Sequence, residues 1–451
     1  MQKPQVVIVG GGFGGTHAAH ALRHAAVRVT LVDRTNHSVF HPLLYQVATA
    51  GLSSDEIAAP IRFLMRRQLN TEVLLADVEH IDLVQRRVSI GSGWLSYDYL
   101  ILATGSEYNY FNHPDWARYA PSIKTIADAT LIRHCILQAF ERAELESEPD
   151  DIRSLLTFVI IGGGPTGVEL AGALSELTRY VLAREYRHID TRTSRILLLE
   201  AAPRILHGFT EGLCRKAQKE LVRKGVEVMT SAMVTSVDEG GVFVNRKARV
   251  ERIRSSNVFW TAGVKATALG RALGVETDGL GRVKVLPDLS VPGHPEVFVV
   301  GDLAVMEQHG KPFAPGLAPV AMQQGRYVGE LIARRVSGRK SQGPFRYRDR
   351  GKLATVGRGF AIAEFGRLRI SGRLGWLLWS TAHILYLAGL WNRLQVFLTW
   401  VWAYITYQRS VRIIAPDVLA YESGALPRRT PRAGTDATSV EARSEQHQHP
   451  F

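Results

Sequence analysis

Short, largely apolar runs recur along the first two thirds of the chain, several of them leading into glycine. Gln5–Gly10 reads QVVIVG, Asp98–Gly105 reads DYLILATG, and Val297–Asp302 reads VFVVGD, with further runs at Val27–Val32, Leu156–Ile161 and Ile196–Leu199. Unbroken runs of this length, rather than alternating ones, mark strands buried on both faces of a parallel sheet. Helix-forming stretches separate them: one from the first glycine cluster to Leu22, another over Leu131–Glu146. The interleaving predicts an α/β fold with parallel sheets. Thr178–Arg192 reads as an extra charged helix.

Past Arg373 the pattern changes. Eighteen uncharged residues, Leu374–Trp391, are followed by Asn392-Arg393 and fifteen more, Leu394–Gln408. Each run is at or below the ~20 residues that cross a bilayer. In the second, Gln395, Thr399, Trp402, Thr406 and Arg409 fall on one helical stripe, with Phe397, Leu398, Trp400, Val401, Tyr404 and Ile405 on the other faces. Two amphipathic helices lying in a membrane interface are therefore expected. The stretch from Arg428 is polar and predicts a disordered tail.

The first apolar strand runs into Gly10-Gly11-Gly12-Phe13-Gly14-Gly15, and the second ends at Asp33, 23 residues past Gly10. In this G-x-G-x-x-G arrangement Gly10 permits a tight turn, Gly12 lets a pyrophosphate approach the backbone, and Gly15 allows close helix–strand packing. The helix N-terminus offers free N–H groups to the anion, and a carboxylate at the second strand's end accepts ribose hydroxyls. A second copy follows Leu156–Ile161. Gly162, Gly164 and Gly167 repeat the spacing, Pro165 stands where a first helical residue belongs, and Glu200 ends the next strand. Glu200 would repel a 2′-phosphate and so favours NAD over NADP, although Arg204 lies close by in sequence. Two fingerprints imply two dinucleotides, a bound flavin and an exchanging nicotinamide.

Composition narrows the partners. The chain has 451 residues and net charge +13, and residues 345–433 alone hold 14 Lys+Arg against 4 Asp+Glu. Five of the eight tryptophans lie in the same stretch, within apolar runs. Basic residues interleaved with surface aromatics are lacking, which excludes nucleic acid and points to an anionic membrane surface. The only cysteines, Cys135 and Cys214, are far apart, so neither a disulfide scaffold nor a Cys-ligated metal site is expected.

These motifs together resemble the membrane-bound type II NADH dehydrogenases, the NADH:quinone oxidoreductases, within the flavoproteins of the glutathione-reductase fold. The resemblance spans about residues 4–415. It rests on GGGFGG, on Phe40–Thr49 (FHPLLYQVAT), Leu102–Ser106 (LATGS), Gly162–Glu169, Trp260–Gly263 (WTAG), Val300–Asp302 and Ala318–Gly325 (APVAMQQG). It implies two Rossmann-like domains, the FAD domain split by an inserted NAD domain: 1–115 and 269–343 for FAD, 116–268 for NAD(H). A C-terminal amphipathic helical membrane-anchor region at 344–415 and a tail at 416–451 would follow.

The resemblance places FAD on Gly10, Gly12, Phe13, Gly14 and Gly15, with Asp33 at its adenosine ribose, Asp302 near its ribityl chain, and Ala103, Thr104 and Gly105 beside it. NADH would lie on Gly162, Gly164, Thr166 and Gly167, with Glu200 at its ribose and Ala262 and Gly263 on the nicotinamide side. Glu169 would stand beside the reacting rings. Pro42–Gln46 and Ala318–Gln324 would line the flavin and the quinone entrance. Where the family often carries Gln after the first Ala of that motif, this chain has Pro319, so Gln323 becomes the candidate quinone contact. No metal is implied, because the cofactor carries the chemistry. Residues 34–50 contain no Cys, which excludes disulfide-reductase chemistry. The expectation is a non-proton-pumping NADH:quinone oxidoreductase, peripheral on the cytoplasmic face of the cell membrane and able to form a homodimer. A reductase serving a soluble carrier such as ferredoxin is the alternative.

Overall fold

The computed structural model describes residues 3–414, apart from residues 92, 184, 248, 309–310, 314–315, 341 and 410 and the side chains of 308, 311 and 312. The expected tail at 416–451 lies outside the described residues.

Two parallel sheets form the body. In the first, strands run in the order Ser290–Val291, His294–Val299, Tyr99–Leu102, Gln5–Val9, Arg28–Asp33 and Thr71–Leu75. Only the terminal Ser290–Val291 strand pairs antiparallel. Val6, Val7 and Ile8 of its central strand are wholly buried, as an unbroken apolar run requires. The second sheet orders Val226–Thr230, Arg195–Glu200, Thr157–Ile161 and Asn257–Trp260, all parallel. The chain leaves the first sheet through Ser106–Tyr108 and comes back through Val264–Ala266. These two crossings pair antiparallel, Ser106 opposite Ala266 and Tyr108 opposite Val264. The strand at His294–Val299 then docks beside Tyr99–Leu102, closing the first sheet after the second has been built.

One helix contact fixes the first sheet's glycine loop. Helix Phe13–Ala21 packs along helix Ala318–Val336 so closely that a Cβ on Gly325 would lie 2.0 Å from the carbonyl oxygen of Gly14. A Cβ on Gly329 would come within 2.6 Å of the Ala18 oxygen. Small residues let the two backbones meet, which no larger side chain permits.

The charged helix predicted over Thr178–Arg192 does not form. A π-helical turn occupies Leu177–Val181, and a single 3-10 turn follows at Thr191–Thr193. The Glu144 carboxylate takes the backbone N–H groups of Arg187, His188 and Ile189, and the Asp190 side chain takes that of Arg192. Side-chain acceptors thus replace the carbonyls that a helix would have used.

Two C-terminal helices, Arg373–Tyr386 and Leu390–Thr406, pack on the body after a three-stranded meander at Lys352–Thr355, Ala361–Phe365 and Leu368–Gly372. Among the described residues no helix is long and apolar enough to cross a membrane. The stripe predicted as polar turns toward the body at Thr399, which donates to Glu56 at 2.6 Å, and at Arg409, which donates to the Thr49 carbonyl at 2.7 Å. Asn392 donates to the carbonyls of Asp55, Glu56 and Ala58. Leu390, Trp391, Leu394, Phe397, Leu398 and Ile405 face outward, with Leu374, Leu377 and Leu385 beside them on the first helix, all exposed.

Gly325→Ala tests the helix contact. Overpacking of this kind costs about 1–3 kcal/mol, so the urea midpoint should fall and flavin should be lost on gel filtration. An unchanged midpoint would show that the two backbones are free to separate.

Candidate active site

The two glycine loops are built alike. Gly10 holds φ +103°, and a Cβ there would sit 2.5 Å from the Ala103 oxygen; Gly162 holds φ +112°, with Ala262 N at 2.8 Å. Both lie in the left-handed region that glycine alone occupies readily. A Cβ on Gly15 or Gly167 would strike the oxygen of Gly10 or Gly162 at 1.8 and 1.9 Å. Gly12 and Gly164 differ, since nothing in the protein lies within 4 Å of a Cβ built there. Protein packing therefore explains four of the six glycines. The remaining two face open space at a helix N-terminus, where a pyrophosphate would need the backbone bare.

The two acids repeat as well. Asp33 accepts the Gly11 N–H at 2.6 Å and Glu200 the Gly163 N–H at 2.6 Å. Their second oxygens take Thr35 N and Ala202 N, each at 2.7 Å. Each carboxylate is thereby held at the mouth of its loop. Arg204 is exposed and lies outside this arrangement.

Both loops open on one cavity of about 1000 Å³. Gly10, Gly12, Phe13, Gly14 and Asp33 line it from the first loop, and Gly164, Thr166 and Glu169 from the second. Ala103, Thr104, Gly105 and Asp302 lie between, while Pro319, Met322, His383 and Tyr386 form the end toward the outer helices. Gly15, Gly162 and Gly167 are buried within their turns. Glu200, Ala262 and Gly263 lie outside this lining, although Thr261 and Val264 belong to it. Pro42 and Leu44 also line it, whereas Tyr45 and Gln46 point elsewhere.

Burial sets the electrostatics. It pushes Glu169 up to about 8, against the Thr355 N–H at 3.2 Å and the neighbouring Trp379 indole, which favour the charged form. The carboxyl is thus largely protonated near neutral pH. Burial and the Lys124 charge push His41 down to about 4, and burial does the same to His383. His383 Nδ1 lies 2.7 Å from the Trp379 carbonyl, so that nitrogen carries the hydrogen and Nε2 is left as an acceptor. Asp302 accepts from Ser106 at 2.8 Å, and Ser106 accepts from Lys124 at 2.9 Å. The cation stands 3.8 Å from the acid, so the pair enters the cavity already balanced.

Gln323 is placed differently from a free contact. Its amide donates to the Arg348 carbonyl and accepts from the Arg348 N–H, both at 3.0 Å, and it lines neither this cavity nor a smaller one beside it. Gln324, buried, accepts the Gly301 N–H at 2.7 Å and so fixes the turn that carries Asp302. Lys124, His383 and Thr355 escaped the sequence reading as site residues, whereas Ser106 closes the LATGS stretch quoted there. No local motif surrounds the first three: Lys124 precedes helix Ile126–Leu145, Thr355 ends the meander strand Lys352–Thr355, and His383 sits on an outer helix.

Gly12→Ala should leave the thermal midpoint nearly unchanged and sharply weaken flavin retention, because its Cβ meets no protein atom. A large loss of stability would contradict an open glycine. Glu169 gives a pH signature. Between its ordinary value of 4.5 and about 8, the folded chain keeps a proton that the unfolded chain has released. Stability therefore falls as pH rises through that window, and no further above it. The Tm advantage of Glu169→Gln over the native chain should grow from pH 5 to 8 and then level off. A pH-independent difference would refute the shift.

A family model for pyridine nucleotide-disulphide oxidoreductases matches residues 4–325. The chain is 43% identical over 419 residues to the type II NADH:quinone oxidoreductase Ndh of Mycobacterium tuberculosis, covering 90% of this chain and 89% of that protein. It is 42% identical over 409 residues to NdhA of the same organism, covering 88% and 86%. The solved structure of NDH2 from Plasmodium falciparum in complex with NADH matches with a TM-score of 0.82 over 89% of this chain and 98% of that one. At 19% identity that likeness is one of fold. The chain belongs to the pyridine nucleotide-disulphide oxidoreductase family and, within it, to the type II NADH:quinone oxidoreductases.

Proposed function

We propose that this protein is a membrane-surface flavoenzyme that passes electrons from NADH, by way of FAD, to a membrane quinone without pumping protons. One observation carries the reading: two dinucleotide loops, each with its bare glycine, open on the same cavity. When bound, FAD supplies the two-electron carrier between nicotinamide and quinone.

The chain's own residues bind, orient and hold a proton. The N–H groups after Gly12 receive the FAD pyrophosphate, Asp33 its adenosine ribose and Asp302 its ribityl hydroxyls. The N–H groups after Gly164, Thr166 among them, receive NADH, with Glu200 at its ribose and Ala262 and Gly263 on the nicotinamide side. Glu169 carries a proton close to the reacting rings. His383, neutral, presents an acceptor at the end of the cavity where Pro319 and Met322 leave space for a quinone ring. Gln323 acts on that end by holding the Arg348 backbone, two residues before Arg350 at the rim.

We assign 1–115 and 269–343 to a split FAD domain, 116–268 to an NAD(H) domain and 344–415 to the membrane anchor. The outward apolar rows of the two C-terminal helices support a monotopic membrane location, which we assign to the cytoplasmic face of the cell membrane. Neighbouring Arg369, Arg373 and Arg367 suit anionic headgroups. A homodimer through the same helices would use part of that face.

Purified protein mixed anaerobically with NADH should lose its flavin absorbance and regain it on addition of a short-chain quinone. Absence of bound flavin, or no recovery, would overturn the reading. Leu394→Glu combined with Ile405→Glu should release the protein from anionic liposomes while NADH still bleaches the flavin. Retained binding would mean that the anchor lies elsewhere.

A further inference from the structure

Among the described residues, the arginines and lysines that line the large cavity are Arg34, Lys124, Arg350 and Lys352. Three of them belong to the first loop or the outer helices. Arg34 follows Asp33 in the chain, Lys124 stands 3.8 Å from Asp302, and Arg350 donates to the Tyr386 hydroxyl at 2.9 Å. Lys352 differs. Its ammonium donates to the Gly208 carbonyl at 2.8 Å and forms no ion pair among the described residues. An ammonium has three donors, so two are left over on the cavity wall.

The Gly208 carbonyl belongs to the segment Leu206–Phe209, which lines the cavity on the side of the second glycine loop. Leu206 holds φ +53° and donates its N–H to the Gly163 carbonyl at 2.8 Å. A leucine rarely takes that conformation, and here the glycine loop holds it. Just past Phe209, the Thr210 N–H donates to Glu364 at 2.9 Å. Lys352 and Glu364 stand opposite each other on paired strands of the meander. One grips the segment through a carbonyl and the other through an N–H, and they do not pair with each other. The strand Lys352–Thr355 touches the site again at its far end, where the Thr355 N–H meets Glu169. An extended strand covers about 10 Å over that distance. In a nicotinamide nucleotide the diphosphate is one ribose removed from the ring. A strand that holds Glu169 beside the ring therefore carries its cation toward the diphosphate.

We propose that Lys352 is the counter-charge for the diphosphate of NADH, its ammonium fixed on Gly208 and its spare donors on a phosphate oxygen. The proposal rests on the reading of the second loop as the NADH site. Helix Pro165–Glu176 offers that anion N–H groups and a partial charge, to which the ammonium adds a full one. A cation on the cavity wall also speeds the encounter with a dianion, an effect that salt screens. The meander leads directly into the first outer helix, so one element serves both the nucleotide and the anchor region.

Calorimetric titration of the FAD-loaded full chain with ADP-ribose, which has the diphosphate and no nicotinamide, reads this contact without turnover. Lys352→Gln keeps a donor for the Gly208 carbonyl and removes the charge. It should weaken ADP-ribose binding by about tenfold or more, the loss of a charge-assisted hydrogen bond, and flatten the dependence of that affinity on salt. Lys352→Arg should recover most of the loss. In steady state the KM for NADH should rise in proportion in Lys352→Gln, with the KM for a short-chain quinone unmoved. Native affinity for ADP-ribose in Lys352→Gln, or an unaltered salt dependence, overturns the proposal. An equal loss in Lys352→Arg overturns it too, because the lysine would then serve only to place Gly208. Matched Tm and flavin content show that a variant is folded. If Lys352→Gln is not, an ADP-ribose affinity of the native chain that salt leaves unchanged overturns the proposal. Failure of the NADH reading itself is seen separately, as a native chain that ADP-ribose does not bind and whose flavin NADH does not bleach.

Discussion

Gly14 and Gly325 face each other across two helices with no space for a methyl group between them, and much of the cavity is positioned from that contact. Helix Phe13–Ala21 begins at the bare glycine of the first loop, while helix Ala318–Val336 begins at the cavity's far end with Pro319 and Met322. From the same turn as Gly325, Gln324 reaches the Gly301 N–H and thereby places Asp302. The first glycine loop, Asp302 and the outer end of the cavity are thus referred to one backbone contact. Atoms brought this close gain dispersion energy that a looser pairing forfeits. The tolerance is correspondingly small, because cores of this density do not deform continuously.

A second constraint is dryness. Glu169, His41 and His383 all shift toward their neutral forms because burial disfavours charge. Of the charged groups on the cavity wall, Lys124 and Asp302 balance each other through Ser106, which lies between them. A site of this kind presents neutral donors and acceptors to an apolar ring. The C-terminal helices help to close it. Asn392, Thr399, Trp400 and Arg409 all hydrogen-bond to residues 46–58, the segment that follows the cavity-lining Phe40–Leu44. The outward apolar rows of the C-terminal helices and the walls of the cavity are therefore parts of one hydrogen-bonded unit.

The glycine loops were legible in the sequence because their chemistry is local. Turn, bare backbone and packing glycine stand within six residues, and each acid ends the next strand. The parallel sheets were legible from unbroken apolar runs for the same reason. Other features depend on distant partners and leave no local trace. The stretch at 178–192 has helical composition, yet Glu144, from another helix, takes its N–H groups. The stripe on helix Leu390–Thr406 was visible, but hydropathy does not say on which side the body lies. Thr399 and Arg409 point inward because Glu56 and the Thr49 carbonyl wait there. Lys124 and Thr355 carry no motif at all. Gln323 was reachable from its motif, whereas its engagement with Arg348 was not, since nothing in the motif announces the irregular segment before Lys352.

The paired crossings at Ser106–Tyr108 and Val264–Ala266 have a consequence for how such a chain changes over generations. The segment between them leaves and rejoins the first sheet through one doorway, its two ends hydrogen-bonded side by side. A stretch with adjacent ends can be lengthened, exchanged or transplanted as a cassette, since the strands on either side of the gap keep their spacing. The two loops that such a cassette must keep in line share the same glycine pattern and the same acid, so duplication followed by insertion is a sufficient origin for both.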